Sequence, residues 1–172
     1  LGKISALAKG VRKMNSRKSG HLLPFTLISV QLIKSRGASF LVDQVSTITS
    51  FQQIYESLNK TIAASCVMEL AERFSLEEVE NRPLFELTVE TLRRIARMED
   101  FQVAKFYFDL HLLEISGYRP QLRECVFCRS EILPQDQYFS YKMGGVICPS
   151  CERKDSAAKP ITMRTLKYLR YY

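Results

Sequence analysis

No apolar run in this 172-residue chain approaches the roughly 18 residues that a membrane span requires. The opening residues LGKISALAKG carry no secretory n-region, h-region or cleavage site, so a cytoplasmic protein with no membrane partner is expected. Its five cysteines are an awkward number for a disulfide framework, and a cytosolic setting keeps thiols reduced. No Gly-rich loop followed by Lys is present to cradle nucleotide phosphates. The H-x-E and P-C-x-x-C pairing of a zinc nucleobase deaminase is missing too. His111-Leu112-Leu113-Glu114 has the wrong spacing, and the candidate knuckle reads Cys148-Pro149-Ser150-Cys151. Enzyme activity is therefore not expected. Internal repeats, low-complexity tracts and tryptophan are also absent.

The most informative absence is of acid. Residues 1–42 contain Lys3, Lys9, Arg12, Lys13, Arg17, Lys18, Lys34 and Arg36 but neither Asp nor Glu, a local charge of +8. The whole chain carries +7, so residues 43–172 sum to −1 and the first segment holds the entire excess. An asymmetry of this kind points to a polyanion, with nucleic acid ahead of an anionic membrane surface. Lys9, Arg12, Lys13, Arg17 and Lys18 lie among Gly, Ser and Asn in one connector. A cation-rich connector between strands suits sequence-independent phosphate contacts; the alternative is a solvated loop. Phe25, Phe40 and Tyr55 are candidates for stacking on bases, although burial in a core is the simpler reading of each.

The chain is expected to be α+β. Residues 3–10, 25–33 and 40–48 are short runs rich in branched and aromatic side chains, separated by polar connectors, and they read as strands. Three strands are few for a closed sheet. The chain opens on Leu-Gly-Lys with no initiating Met, so further strands are expected upstream. From about Ser50 the period becomes helical, with Phe51, Ile54, Leu58, Ile62, Cys66, Leu70 and Phe74 on one face and Thr49 or Ser50 as N-cap. Cys66 there reads as a small buried hydrophobe. Pro83 suits the first turn of a second helix, whose stripe includes Leu84, Leu87, Leu92 and Ile95. Glu77, Glu78 and Glu80 favour its start rather than forming a carboxylate site. A third helix from about Glu99 uses Phe101, Ala104, Phe108, Leu112 and Ile115, and stops at Gly117. His111 on it reads as a partly buried structural side chain, and His21 as a loop residue. Pro160 is expected to open a last helix that ends without a cap, so the C-terminus also looks cut.

Residues 121–155 break this pattern. Cys125-Val126-Phe127-Cys128 and Cys148-Pro149-Ser150-Cys151 are two C-x-x-C knuckles at the separation of a zinc ribbon, with a hairpin expected around Gly144 and Gly145. The alternative is a pair of redox dithiols, but neither pair opens a helix in a βαβ unit. Four thiolates leave no open position for water, so one Zn²⁺ bound here is structural. Four thiolates and one ion change the formal charge by −4 + 2, and Arg123, Arg129, Arg153 and Lys154 are placed to offset the excess.

Three stretches together resemble the RecO family of bacterial recombination mediators. AKGVRKMNSRKSGHLLPFTL is similar to its AKG-A-R…S…L-PF block, with Val11 in place of the usual Ala. FYFDLHLLEISGYRPQLRECVFC is similar to its F-x-x-x-LLE-x-x-GY-x-P-x-L-x-x-C-x-x-C signature, and FSYKMGGVICPSC to the FS…GGV-x-C-x-x-C that closes the metal site. The likeness covers nearly the whole chain in order. It implies a partial OB-fold β-barrel over residues 1–48 lacking its first strands. A helical domain over 49–120, an inserted four-cysteine zinc ribbon over 121–155 and a return to the helical domain over 156–172 follow. Lys9, Arg12 and Lys13 match the basic block, with Arg17 and Lys18 following, and Cys125, Cys128, Cys148 and Cys151 match the metal site. The resemblance also implies binding of single- and double-stranded DNA, annealing of complementary strands and contact with the C-terminal tail of single-stranded-DNA-binding protein. Partnership with RecR and RecF in loading RecA is implied likewise. On charge and aromatics alone, an RNA-binding OB-fold and zinc-ribbon protein is the competing expectation.

Overall fold

A computed structural model describes residues 2–13, 16–34 and 40–171, and shows a mixed α+β chain forming two compact units, residues 1–108 and 109–172. Among the described residues no helix is long and apolar enough to cross a membrane.

The first unit opens on a three-stranded sheet built from β1 (Ala6–Leu7), β2 (Thr26–Lys34) and β3 (Phe40–Ser50) in the order β1-β3-β2. β2 and β3 are antiparallel, with Val30 opposite Val45 and Lys34 opposite Phe40, and β1 joins β3 in parallel. Two register shifts, at Leu27/Ile28 and Gln31/Leu32, bend the ribbon as bulges do. The three expected strands thus form, and the described residues give an open sheet of three.

The helical pattern differs from expectation at its start. Phe51 and Ile54 are buried, but Phe51 caps and Ile54 belongs to a 3-10 turn over Gln52–Glu56, and Ser57 is extended before α1 (Leu58–Arg73) begins. That break resets the helical phase. α1 therefore buries Ala63, Ala64, Val67 and Ala71, while Leu58, Ile62 and Phe74 stay exposed and Cys66 is half-buried. Thr49 and Ser50 lie in β3 and cap nothing.

α2 (Arg82–Arg97) follows expectation. Asn81 Oδ1 accepts from the Leu84 amide at 3.2 Å, Pro83 occupies the first turn, and Leu84, Leu92 and Ile95 are buried. The small residues on the buried face of α1 let it pack closely on α2. Lys60 Nζ donates to the Ala96 carbonyl at 2.9 Å, placing a cation where the α2 dipole favours one. α3 (Phe101–Ile115) buries Ala104, Phe108 and Leu112, and Gly117 takes φ +79° just beyond it, the left-handed cap its position predicts.

The second unit holds a small antiparallel sheet of β4 (Gln137–Ser140), β5 (Gly145–Ile147) and β6 (Lys159–Ile161), in the order β5-β4-β6. β4 and β5 are the hairpin expected around Gly144 and Gly145. Pro160, expected to open a helix, sits instead in β6 at the sheet edge, where its missing N–H breaks no ladder. The last helix, α4 (Met163–Tyr171), begins after Thr162, whose Oγ1 accepts from the Thr165 amide at 3.1 Å.

Candidate metal centre and nucleic-acid interface

The four knuckle cysteines converge: their Sγ atoms all lie within 4.8 Å of one another. Each knuckle is closed by its own backbone. The Arg129 amide donates to the Cys125 carbonyl at 2.9 Å, and the Cys151 amide to the Cys148 carbonyl at 2.9 Å. Returning the chain after Cys128 forces Arg129 to φ +63°, a left-handed conformation that favours glycine. The two knuckles are also tied to each other. The Cys148 amide donates to Cys125 Sγ at 3.4 Å, and the Val126 amide to the Val146 carbonyl at 3.0 Å. Gly145 makes the approach feasible, because a Cβ there would lie 2.5 Å from Val126 Cγ1 and 2.7 Å from the Gln121 carbonyl oxygen.

Geometry and donor chemistry both fit a tetrahedral ion. Sulfurs about 2.3 Å from zinc stand about 3.8 Å apart along a tetrahedral edge; Cys128 Sγ and Cys148 Sγ are 3.6 Å apart. Cys125 and Cys151 are buried, Cys148 is half-buried and Cys128 is exposed. The surroundings also sort the thiols. The Ser130 hydroxyl and amide beside Cys128 bring its thiol down to about 6. For Cys125, burial opposes ionisation, but the amides of Cys128, Cys148 and Phe127 outweigh it and hold the thiol below its ordinary value. Burial, then the neighbouring Cys148, Cys128 and Cys125, push Cys151 up to about 12. Stacked thiols with opposed proton affinities are what a cation that neutralises them collectively relieves. The four residues can hold one metal ion, with all four positions filled by protein.

A second set of bonds fixes the module around this centre. Ser140 Oγ donates to Asp155 Oδ2 at 2.5 Å and accepts from the Met143 amide at 3.0 Å, joining β4 to the turn that follows Cys151. The Ser140 hydroxyl and then the Ala157 amide hold the Asp155 carboxyl below its usual range. Arg170, on α4, donates to the Leu122 carbonyl from Nε at 2.9 Å and Nη2 at 2.7 Å. This clasp joins residues 48 apart and carries no local sequence signal. Of the cations expected to offset the thiolates, Lys154 lies with Nζ 5.7 Å from the Phe127 ring centroid.

The cation-rich connector is a series of turns. The Lys13 amide donates to the Gly10 carbonyl at 3.1 Å, Gly10 has φ +74°, and the Ser16 amide donates to the Lys13 carbonyl at 2.9 Å. These turns leave Lys9, Arg12, Lys13 and Arg17 exposed, and Lys34 is exposed at the end of β2. Lys18 differs: it is half-buried, and its Nζ donates to the Val42 carbonyl at 2.7 Å, so one of its donors fastens the connector to β3. Arg36 lies outside the described residues. His21 Nδ1 is 2.8 Å from Thr47 Oγ1, a second tie between connector and sheet. Phe25 and Phe40 are half-buried. Tyr55 is exposed, its hydroxyl donating to the Pro24 carbonyl at 2.7 Å and its ring centroid 5.7 Å from that of Phe25. His111 on α3 is half-buried, with Nδ1 3.4 Å from Glu114 Oε2.

A small sheet bearing exposed cationic turns, a helical segment and a four-cysteine module that could hold a metal ion define a protein of mixed α+β class. Comparison with known proteins narrows this. Residues 1–51 match the family described as Recombination protein O N terminal, and residues 55–172 match Recombination protein O C terminal. A protein named DNA repair protein RecO from Dehalococcoides mccartyi (strain ATCC BAA-2266 / KCTC 15142 / 195) is 40% identical over 171 residues, covering 99% of this chain and 67% of that protein. Proteins of the same name from Roseiflexus sp. (strain RS-1) and Bacillus subtilis (strain 168) are each 34% identical over 171 residues and 99% of this chain, covering 60% and 66% of their own lengths. The chain therefore belongs to the RecO family, and it spans about two thirds of the length of these relatives.

Proposed function

We propose that this chain is the DNA-contacting part of a recombination mediator acting in DNA repair, and that it binds single- and double-stranded DNA through Lys9, Arg12, Lys13 and Arg17. Lys34, exposed at the end of β2, and Arg36, outside the described residues, are proposed as further contacts, and Lys18 divides its role between phosphate and the Val42 carbonyl. The observation that carries the reading is the acid-free first segment, in which Lys9, Arg12, Lys13 and Arg17 stand exposed on consecutive turns. A row of such groups meets a phosphate backbone without reading base edges, and its affinity comes from releasing counterions. Annealing then needs no catalytic base. Two polyanions repel, and a cationic surface that screens both strands while leaving bases exposed lowers that barrier. The chain accordingly works by binding, not by covalent catalysis.

In this reading residues 1–48 belong to an OB-fold, 49–120 to a helical domain, and 121–155 to a ribbon held by one structural Zn²⁺ on Cys125, Cys128, Cys148 and Cys151. The ion supplies rigidity; the protein supplies every ligand. The whole protein acts in the bacterial cytoplasm at the nucleoid, with RecR, RecF and the tail of single-stranded-DNA-binding protein, in loading RecA. Titrating the chain with single-stranded DNA and RNA of one sequence at matched salt tests the proposal. DNA binding equal to or tighter than RNA binding, with faster annealing of complementary DNA strands, is the expected result. A strong RNA preference without annealing would assign the surface to RNA.

A further inference from the structure

The last helix carries chemistry that the metal centre and the first segment leave unused. α4 buries Leu166 and half-buries Leu169 against the core around the cysteines, and Arg170 is spent on the Leu122 carbonyl. Arg164, Lys167, Tyr168 and Tyr171 stand at i, i+3, i+4 and i+7, which puts them on one face, and all four are exposed. Tyr168 keeps 52% and Tyr171 86% of its surface in solvent. The Arg164 guanidinium carbon is 5.8 Å from the Tyr168 ring centroid. Residues 156–172 contain Lys159, Arg164, Lys167 and Arg170 and no acid, so no carboxylate of that segment neutralises the stripe.

Two cations followed along one face by two exposed rings offer a single strand both phosphate contacts and stacking surfaces. A membrane surface fits less well. Leu166 and Leu169 of α4 pack on the core, which leaves Met163 at its first turn as the exposed aliphatic side chain of the helix, too little for insertion among acyl chains. A duplex fits less well too, because its bases are already stacked on one another.

We propose that this face of α4 is a second contact for single-stranded DNA, with Tyr168 and Tyr171 stacking on bases and Arg164 and Lys167 meeting phosphates to one side of them. The proposal rests on the reading that the chain binds DNA, and it assigns a surface distinct from the connector at residues 9–18. Because the chain has no tryptophan, Tyr168→Trp gives a single optical reporter. Titrating that variant of the full chain with oligothymidylate should quench its emission along the binding isotherm. Tyr168→Ala should weaken binding about five-fold, the low end for one stacked base. The double variant Arg164→Gln/Lys167→Gln should reduce the slope of log affinity against log salt by about 1.4. None of these side chains is buried, so the circular dichroism and melting temperature of each variant should match the parent. Binding of oligothymidylate with no change in Tyr168→Trp emission and an unchanged salt slope would overturn this contact while leaving the first one standing. A chain that binds no DNA at all would overturn both.

Discussion

Withdrawing the proposed ion from the four-cysteine centre, by chelation or by Cys148→Ser, should unfold the module around it rather than loosen it. The core there contains Leu122, Cys125, Ile132, Val146, Ile147, Cys151 and Leu166, so two of its buried members are also proposed ligands. Its strands are four, three and three residues long. Structural zinc on four ligands contributes about 10–16 kcal/mol to folding of small metallo-domains, against a total stability of about 5–15 kcal/mol for a typical domain. Its loss therefore exceeds what so small a core can absorb. Hydrogen exchange read by mass spectrometry resolves the outcome. The amides of Val126, Ile132, Val146 and Cys151, each bonded to a carbonyl within the module, should lose protection when the metal is removed. Amides of α2, in the other compact unit, should keep theirs. Unchanged protection at those four amides in chain verified as metal-free would refute the structural role.

Other perturbations separate backbone from charge effects. Gly145→Ala should cost the module roughly 2 kcal/mol or more in thermal or chemical denaturation, because the added methyl meets Val126 and the Gln121 carbonyl inside contact distance. Arg129→Gly should instead stabilise the module by up to about 1 kcal/mol, since it relieves a left-handed arginine at φ +63°. Glu90 sits between Arg94, at 3.0 Å, and Arg93, at 2.5 Å. Partial burial opposes its ionisation, but the two guanidinium groups outweigh burial and keep its carboxyl below the usual range. A depressed carboxyl stabilises above its unfolded value and loses that contribution as pH falls through its folded one. Glu90→Gln should therefore lower the melting temperature near neutral pH, by less than about 1 kcal/mol for so exposed a pair. The difference should shrink below about pH 4.3.

What the sequence discloses and what it hides divide along the distance between the interacting residues. The C-x-x-C pairs, the Asn81-Arg82-Pro83 start of α2 and the Gly117 stop of α3 are local devices, and each stands where its spacing puts it. α1 is the counterexample. Its apolar stripe looks continuous from Phe51, but extended Ser57 separates a short turn from the helix, and the face that packs is lined by alanines that contribute little to hydropathy. Pro160 misleads for a related reason. Its role in β6 depends on pairing with Tyr138, more than twenty residues earlier, which no local pattern records. The tie from Lys18 to the Val42 carbonyl is equally non-local, so a lysine that looks like one more phosphate contact also serves the fold. The four thiols could be grouped from spacing alone, whereas their unequal proton affinities depend on which amides and hydroxyls the folded turns place beside each.

The proposed function depends on contact between the exposed cations at the start of the chain and DNA phosphates. It is tested most directly by the salt dependence of single-stranded DNA binding in the parent and in the variant Lys9→Gln/Arg12→Gln/Lys13→Gln/Arg17→Gln. Four lost phosphate contacts should lower the slope of log affinity against log salt by about 2.8, with the melting temperature unchanged because all four side chains are exposed. An unchanged slope in a folded variant would contradict the account.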